Sequence, residues 1–186
     1  MSPLTGTIAL IAELFVLGWL SFQFTSGIVS VLHGAPYVPM ERYRLDKLLA
    51  FGELNSRDVF CDLGSGDGRV VLTAVRDFHV AQARGYEIAP WPYWKSRWKI
   101  SRSGLQNVTV SNRSFFDADM KDVTCIYAYL FPKLIDRVAA AFARDLVSGT
   151  HIICPAFPID LAKHPQFRLK KEEKIGTLTA YLYEKI

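Results

Sequence analysis

From residue 57 onward, short apolar runs alternate with stretches whose apolar residues recur every three to four positions. "DVFCDLG" has the pattern of a buried strand and "GRVVLTAVRDF" that of a helix; "AQARGYEI" is a strand, and "PWPYWKSRWKISRSG" a helix that Pro90 or Pro92 starts. "NVTVSN" and "VTCIYAYLF" are the third and fourth strands, a helix runs from Pro132 to Leu146, and "GTHIICPAF" is the fifth strand. Strands alternating in this way with helices of about 10–15 residues predict an α/β domain built on a mostly parallel sheet. Two further strand-like runs, "FRLKKEEKI" and "TLTAYLYEKI", meet at Gly176 and predict a closing antiparallel hairpin. Before them, "CPAFPIDLAKHPQ" carries three prolines and is expected to be a loop where a helix would otherwise stand.

The first forty residues follow neither rhythm. Leu14 to Leu32 is an uncharged run of 19 residues, close to the roughly 20 that cross a bilayer as a helix, with Glu13 at its start. A signal peptide would want a basic leading region and a mitochondrial presequence would want arginines; neither is present before the run. The first basic residues, Arg42, Arg44 and Lys47, follow it, which predicts a single-pass membrane anchor with the domain on the cytoplasmic side. A hydrophobic helix packed on the domain or in an oligomer interface is the competing expectation. The expected division is a hydrophobic segment over 1–34 and the α/β domain over 35–186. Pro36 and Pro39 keep the junction extended, and a helix is expected from Met40 with Tyr43, Leu45, Leu48 and Leu49 on its apolar side.

Charge sharpens this division. All 22 Lys and Arg residues lie after residue 41, whereas two of the 18 acids, Glu13 and Glu41, lie within the first 41. A mildly basic domain suits an anionic partner, although a solvated basic surface accounts for the same balance. Cys61, Cys125 and Cys154 each sit in an apolar strand and form no CxxC pair. Buried thiols in odd number predict a reducing compartment rather than a disulfide scaffold, and no cysteine–histidine spacing predicts a metal.

At the end of the first strand, "DLGSGDGRVV" places glycines at positions 64, 66 and 68 behind Asp62. In a parallel sheet, ligands bind beyond the carboxyl ends of the strands, where this loop falls. The spacing is GxGxG, not the GxGxxG of dinucleotide sites, and there is no Walker lysine. A pyrophosphate wants backbone N–H groups with no anion nearby. Asp62 and Asp67 are expected to repel it and to favour a cationic ligand such as S-adenosylmethionine. Glu87, 19 residues past Gly68 at the tip of the second strand, is placed to accept both ribose hydroxyls.

"DLGSGDGRVV" and "GYEIAPW" resemble the Rossmann-like class I S-adenosylmethionine-dependent methyltransferases, whose fold implies a seven-stranded sheet. "PYVP" at 36–39 and "PWPYWKSRW" at 90–98 are similar to one branch, the membrane-associated protein lysine methyltransferases that modify the ATP synthase rotor-ring protein (its c subunit) and the adenine nucleotide translocase, with a small archaeal relative. The likeness covers roughly residues 35–160. It implies that Asp62, Gly64 and Gly66 hold the methionine part, with Ser65 and Gly68 of the same loop among the cofactor contacts. Glu87 takes the ribose and Ile88 packs on the adenine. The family's usual acid for the adenine amino group is replaced by Ser114, beside Phe115, with Asp117 and Asp119 farther on. The family's substrate-side motif falls at Tyr129 to Pro132. "YLFP" there is not the Asn-Pro-Pro-Tyr of enzymes that methylate bases, so no nucleic-acid acceptor is expected.

Trp91, Trp94 and Trp98 share one helical face, and that spacing predicts core packing. Tyr127, Tyr129 and Phe131 alternate along the fourth strand, and Tyr129 and Phe131, with Pro132, are expected to wall the transfer site. Tyr37, fixed between Pro36 and Pro39, is a candidate cofactor contact. Together these features predict a membrane-anchored enzyme that transfers methyl groups from S-adenosylmethionine to protein lysines near the membrane. A small-molecule or lipid methyltransferase, and a tethered module that binds cofactor without turnover, are the alternatives.

Overall fold

In the computed structural model, which describes residues 3–32 and 40–186, the predicted alternation closes into one sheet. The stretch containing Tyr37, Pro36 and Pro39 lies outside the described residues. The elements run α1 (Pro3–Leu32), α2 (Arg42–Phe51), β1 (Val59–Leu63), α3 (Arg69–Phe78), β2 (Gln82–Tyr86), α4 (Pro90–Ser103) and β3 (Val108–Ser111). After a 3-10 turn at Phe115–Asp117 come β4 (Cys125–Tyr127), α5 (Pro132–Phe142), β5 (His151–Pro155), β6 (Phe167–Ile175) and β7 (Leu178–Lys185).

The strands lie in the order β3-β2-β1-β4-β5-β7-β6. The first five are parallel; β7 enters antiparallel between β5 and β6. The chain reverses between β6 and β7 at Gly176, whose φ of +64° no L side chain adopts easily. The proline-rich segment between β5 and β6 is a loop, as its composition predicts; the Ile159 N–H donates to the Tyr183 hydroxyl at 3.0 Å and fastens it to the sheet.

Side chains alternate across each strand, so β1 divides between two cores. Phe60 joins Leu45, Leu48, Leu49, Val71 and Ala74 under α2 and α3. Cys61 and Leu63 point the other way, to Ile126, Leu134, Ile135 and Phe142 near α5. Asp62 alternates to the Phe60 side. All three cysteines are buried and unpaired, and burial raises each thiol pKa.

Four expectations are corrected. β4 is only three residues long: Ala128 still donates to Ile153 O at 2.9 Å, but Phe131 is already the extended cap of α5, so Tyr129 and Phe131 lie beyond the ladder. Tyr43 is exposed, with Lys47 over its ring, and only Leu45, Leu48, Leu49 and Phe51 bury the face of α2. On α4 the buried residues are Pro92 and Ser96, whereas Trp94 and Trp98 are 61% and 57% exposed; Ser96 brings this helix close to Gly68, Trp94 and Trp98 face outward, and the half-buried Trp91 packs on Trp19 of α1. Finally, α1 is a 30-residue helix that begins well before Leu14 and carries Glu13 within it. Its apolar stretch Gly6–Val29, 24 residues, is long and apolar enough to cross a membrane and is mostly exposed, with Ser26 buried where Trp91 of α4 meets it.

Candidate active site

The chain must turn from β1 into α3 within five residues. Gly64, Gly66 and Gly68 make this possible with φ of +82°, +52° and +76°, in the left-handed region where a Cβ is penalised. The Gly64 and Ser65 N–H groups both donate to Tyr86 O at 2.9 Å, so the loop hangs from the end of β2. Gly85, on β2, is what lets it sit there: a Cβ at Gly85 would fall 2.6 Å from both Cβ and Oγ of Ser65. The role of Gly85 is missed from sequence, although the "GYE" triplet marks the place. Gly68 faces α4, where a Cβ would lie 2.9 Å from Ser96 Cβ.

Glu87 is the hub. One carboxylate oxygen accepts from Gly66 N–H at 2.8 Å and the other from Ala89 N–H at 2.7 Å. Its own N–H reaches Ser111 O, and Asn112 Nδ2 donates to the carbonyls of Glu87 and Ile88 at 2.8 and 3.1 Å. Burial raises its carboxyl pKa, with the backbone donors pulling the other way. Asn112 is a second residue missed from sequence; its place just after the third strand was the available signal.

Among the described residues, four buried side-chain polar atoms lack a hydrogen-bond partner: Asp46 Oδ1, Asp62 Oδ2, Ser65 Oγ and the Tyr127 hydroxyl. Three of them belong to this site. Asp62 and Tyr127 are register partners on β1 and β4, and Ser65 is two residues past β1. The Asp62 carboxyl is held well above the usual carboxylate range by burial, then by Glu87 and Asp67. Burial, then Asp62 and Tyr129, likewise raises the Tyr127 hydroxyl.

Asp67 is not part of this set, contrary to expectation. It is 1% exposed and paired: Arg69 Nε and Nη2 reach its two oxygens at 2.9 Å, and Lys99 Nζ reaches Oδ2 at 2.5 Å. These cations hold its carboxyl far below the usual range, against the opposing effect of burial. Arg69 Nη1 also donates to Met40 O at 2.8 Å. Asp67 therefore clamps the loop, α3 and α4 together, and leaves Asp62 as the uncompensated acid.

A buried acid whose charged neighbours are acids would reject a phosphate and accept a cationic ligand. Asp62 Oδ2 is left without a donor, and each oxygen of Glu87, which accepts one backbone N–H, retains a lone pair. Around this centre, Ile88 is half-buried. Ser114 spends its hydroxyl on capping the 3-10 turn, accepting from Phe116 N–H at 3.2 Å, while Phe115 lies 4.6 Å from the Phe116 ring. Beyond the end of β4, Tyr129 is half-buried, Phe131 is exposed with its ring 5.9 Å from Phe157, and Pro132 opens α5.

Residues 62–166, more than half of the chain and the whole of this constellation from Asp62 to β5, match the ANTKMT methyltransferase domain. The chain belongs to this family. It is 27% identical over 156 residues to a protein-lysine N-methyltransferase of Saccharolobus islandicus, covering 83% of this chain and 96% of the relative. It is 27% identical over 126 residues to the adenine nucleotide translocase lysine N-methyltransferase of Mus musculus, covering 67% of this chain and 54% of the relative, about half of that protein's length. Among solved structures, an RNA methyltransferase from Salinibacter ruber in complex with S-adenosyl-L-homocysteine superposes with a TM-score of 0.72 at 26% identity, over 80% of this chain and 94% of that one. This ANTKMT-family chain is an S-adenosylmethionine-dependent methyltransferase with the Rossmann-like fold expected of it.

Proposed function

We propose that the protein is a protein-lysine N-methyltransferase, anchored by residues 1–34, whose domain over 35–186 acts on membrane-associated proteins from the cytoplasmic side. One observation carries the site: Asp62, Ser65 and Tyr127 present unsatisfied polar atoms beside Glu87, in a family whose relatives here are named for lysine. Helix α1, long and apolar enough to cross a membrane and followed by basic residues, supports the anchor.

In this reading Asp62 and Ser65 receive the amino-acid end of S-adenosylmethionine and Gly64 and Gly66 give it room. Glu87 holds the ribose; Ile88, Ser114 and Phe115 border the adenine. The bound cofactor supplies an electrophilic methyl group on its sulfonium. The protein's task is then to strip water from a lysine, lower its proton affinity by desolvation and hold its lone pair in line. Tyr129, Phe131 and Pro132, at the carboxyl edge of the sheet, form the wall that does this. No side chain is assigned as general base.

Incubation of the full chain with labelled S-adenosylmethionine and membrane extract, followed by amino-acid analysis, tests the assignment. Label on lysine of membrane proteins is expected. Label in RNA, the acceptor named for the Salinibacter structure, or in lipid or small metabolites with none on lysine, refutes the acceptor and leaves the cofactor site standing.

A further inference from the structure

Trp91 is where α1 meets the domain. Its ring lies 4.7 Å, edge-on, from that of Trp19 and 6.5 Å from Phe22, and its backbone N–H donates to Ser26 Oγ at 3.0 Å. Ser26 is three residues from Val29, the end of the apolar stretch, or about 4.5 Å along the helix axis. If α1 crosses a bilayer, the beginning of α4 consequently stands at the edge of the apolar layer, with the Trp91 ring reaching into it toward Trp19, ten residues or about 15 Å from Val29.

The rest of α4 suits that depth. Trp94 and Trp98 continue the stripe begun by Trp91, one and two turns on, and both are exposed. Beside Trp98 a groove of about 560 Å³ opens between α2, α3 and α4, with Arg42, Arg69, Arg76, Lys99 and Arg102 in its walls. Asp67 and Asp77 compensate part of this charge: Asp67 holds Arg69 and Lys99, and Asp77 holds Arg76 and, at 3.8 Å, Arg42. The Arg102 guanidinium lies 4.5 Å from the Trp98 ring centroid and draws no carboxylate in this groove. A row of indoles flanked by excess cations, continuous with a bilayer-spanning helix, is the composition of a protein edge lying in a membrane interface.

We infer that the Trp94–Trp98 edge of α4 and the adjoining basic groove seat the domain on the anionic lipid surface of the membrane that α1 crosses. This rests on the anchored reading of α1. The seat has a use. Helix α4 begins three residues after Glu87, at the carboxyl edge of the sheet, so a domain docked along it keeps that edge close to the membrane, where lysines of membrane proteins emerge.

The test uses the full chain carrying Trp19→Phe and Trp91→Phe, reconstituted into vesicles, so that emission reports only Trp94 and Trp98. Vesicles of phosphatidylcholine alone are compared with phosphatidylcholine–phosphatidylglycerol mixtures, each with and without brominated acyl chains. Bromolipid quenching of roughly twofold is expected in the anionic vesicles, with weaker quenching in neutral ones and a drop toward the neutral value in a chain also carrying Arg76→Glu and Arg102→Glu. A chain that floats with vesicles while both indoles stay unquenched and open to acrylamide overturns the seat and leaves the anchor. A chain that fails to float overturns both. Protection of the indoles by added RNA, with none from anionic vesicles, assigns the groove to nucleic acid and likewise overturns the seat.

Discussion

Gly68 and Ser96 meet where neither can grow: a Cβ on the glycine would stand 2.9 Å from Ser96 Cβ and 3.4 Å from its Cα. The loop after β1 and α4 are thus in contact through almost bare backbone, and Gly68 also sits at φ +76°. Gly68→Ala is expected to cost about 1–3 kcal/mol, combining left-handed strain with overpacking. Urea unfolding measures it. Adding Ser96→Gly should restore only part of the loss, because the strain remains; full restoration would show that contact alone matters.

Asp62→Asn should separate stability from binding. A raised carboxyl pKa means that the folded chain holds this proton more tightly than the unfolded one. That stabilising contribution is present at low pH and is lost as pH rises from the ordinary carboxylate range through the folded value. Asparagine cannot ionise, so at neutral pH the cofactor-free variant is expected to melt higher than wild type, with a flatter pH slope. Its affinity for S-adenosylmethionine should fall by about 1–3 kcal/mol, the scale of hydrogen bonds to charged groups. A lower melting point at pH 7 would contradict the account.

Glu87→Ala takes an acceptor from Gly66 and Ala89 together. Calorimetry should show cofactor binding weakened by about 1–3 kcal/mol. Glu87→Gln, which keeps one acceptor oxygen, should fall between the alanine variant and wild type. Equal affinity in all three would remove Glu87 from the site.

Asp67→Asn should behave in the opposite way to Asp62→Asn. The lowered pKa of Asp67 means that its stabilising effect is complete above the unfolded carboxylate value and fades as pH falls toward the folded one. Its cations are about a third exposed, 33% and 29% for Arg69 and Lys99, so solvent screens part of the loss. About 2 kcal/mol of destabilisation at neutral pH is expected, less than for a fully buried pair. Denaturant melts at pH 7 and pH 3 should show the gap to wild type narrowing in acid.

Tyr129→Ala tests the acceptor wall. Single-turnover methyl transfer should slow by roughly tenfold or more while cofactor affinity stays within about twofold, the pattern of a group acting on the transferring state. A matching loss of cofactor affinity would place this ring against the cofactor instead.

Strand and helix order, the parallel core, the C-terminal hairpin and the loop at 156–166 were legible because each rests on a local signal: periodicity, a terminal glycine or a cluster of prolines. The turn at 62–69 and the place of Glu87 just past β2 were legible for the same reason. Long-range partners were not. Nothing adjacent to Asp67 foretells that Lys99, 32 positions away, will share its charge with Arg69. The stripe of Trp91, Trp94 and Trp98 has core spacing, but Gly68 and Ser96 draw the opposite face of α4 inward and leave Trp94 and Trp98 outside. Gly85 looks like an ordinary strand glycine until Ser65 is seen above it. β4 ends at Tyr127 although the apolar alternation runs on to Phe131, the residue before the Pro132 that starts α5.

The two outer strands of the sheet differ in how they end it. β3 is four residues long, and β6 carries Lys170, Lys171, Glu172, Glu173 and Lys174 in its middle, with a register shift between Leu169 and Lys171. Open rims of a sheet invite a neighbouring chain to add its own strand, and brevity, charge and a local kink each discourage it. Copies held in one plane by the proposed anchor would collide rim to rim far more often than copies free in three dimensions. The features of β3 and β6 allow such crowding without polymerisation, and replacing the lysines of β6 with valines would be expected to turn a dispersed enzyme into an aggregating one.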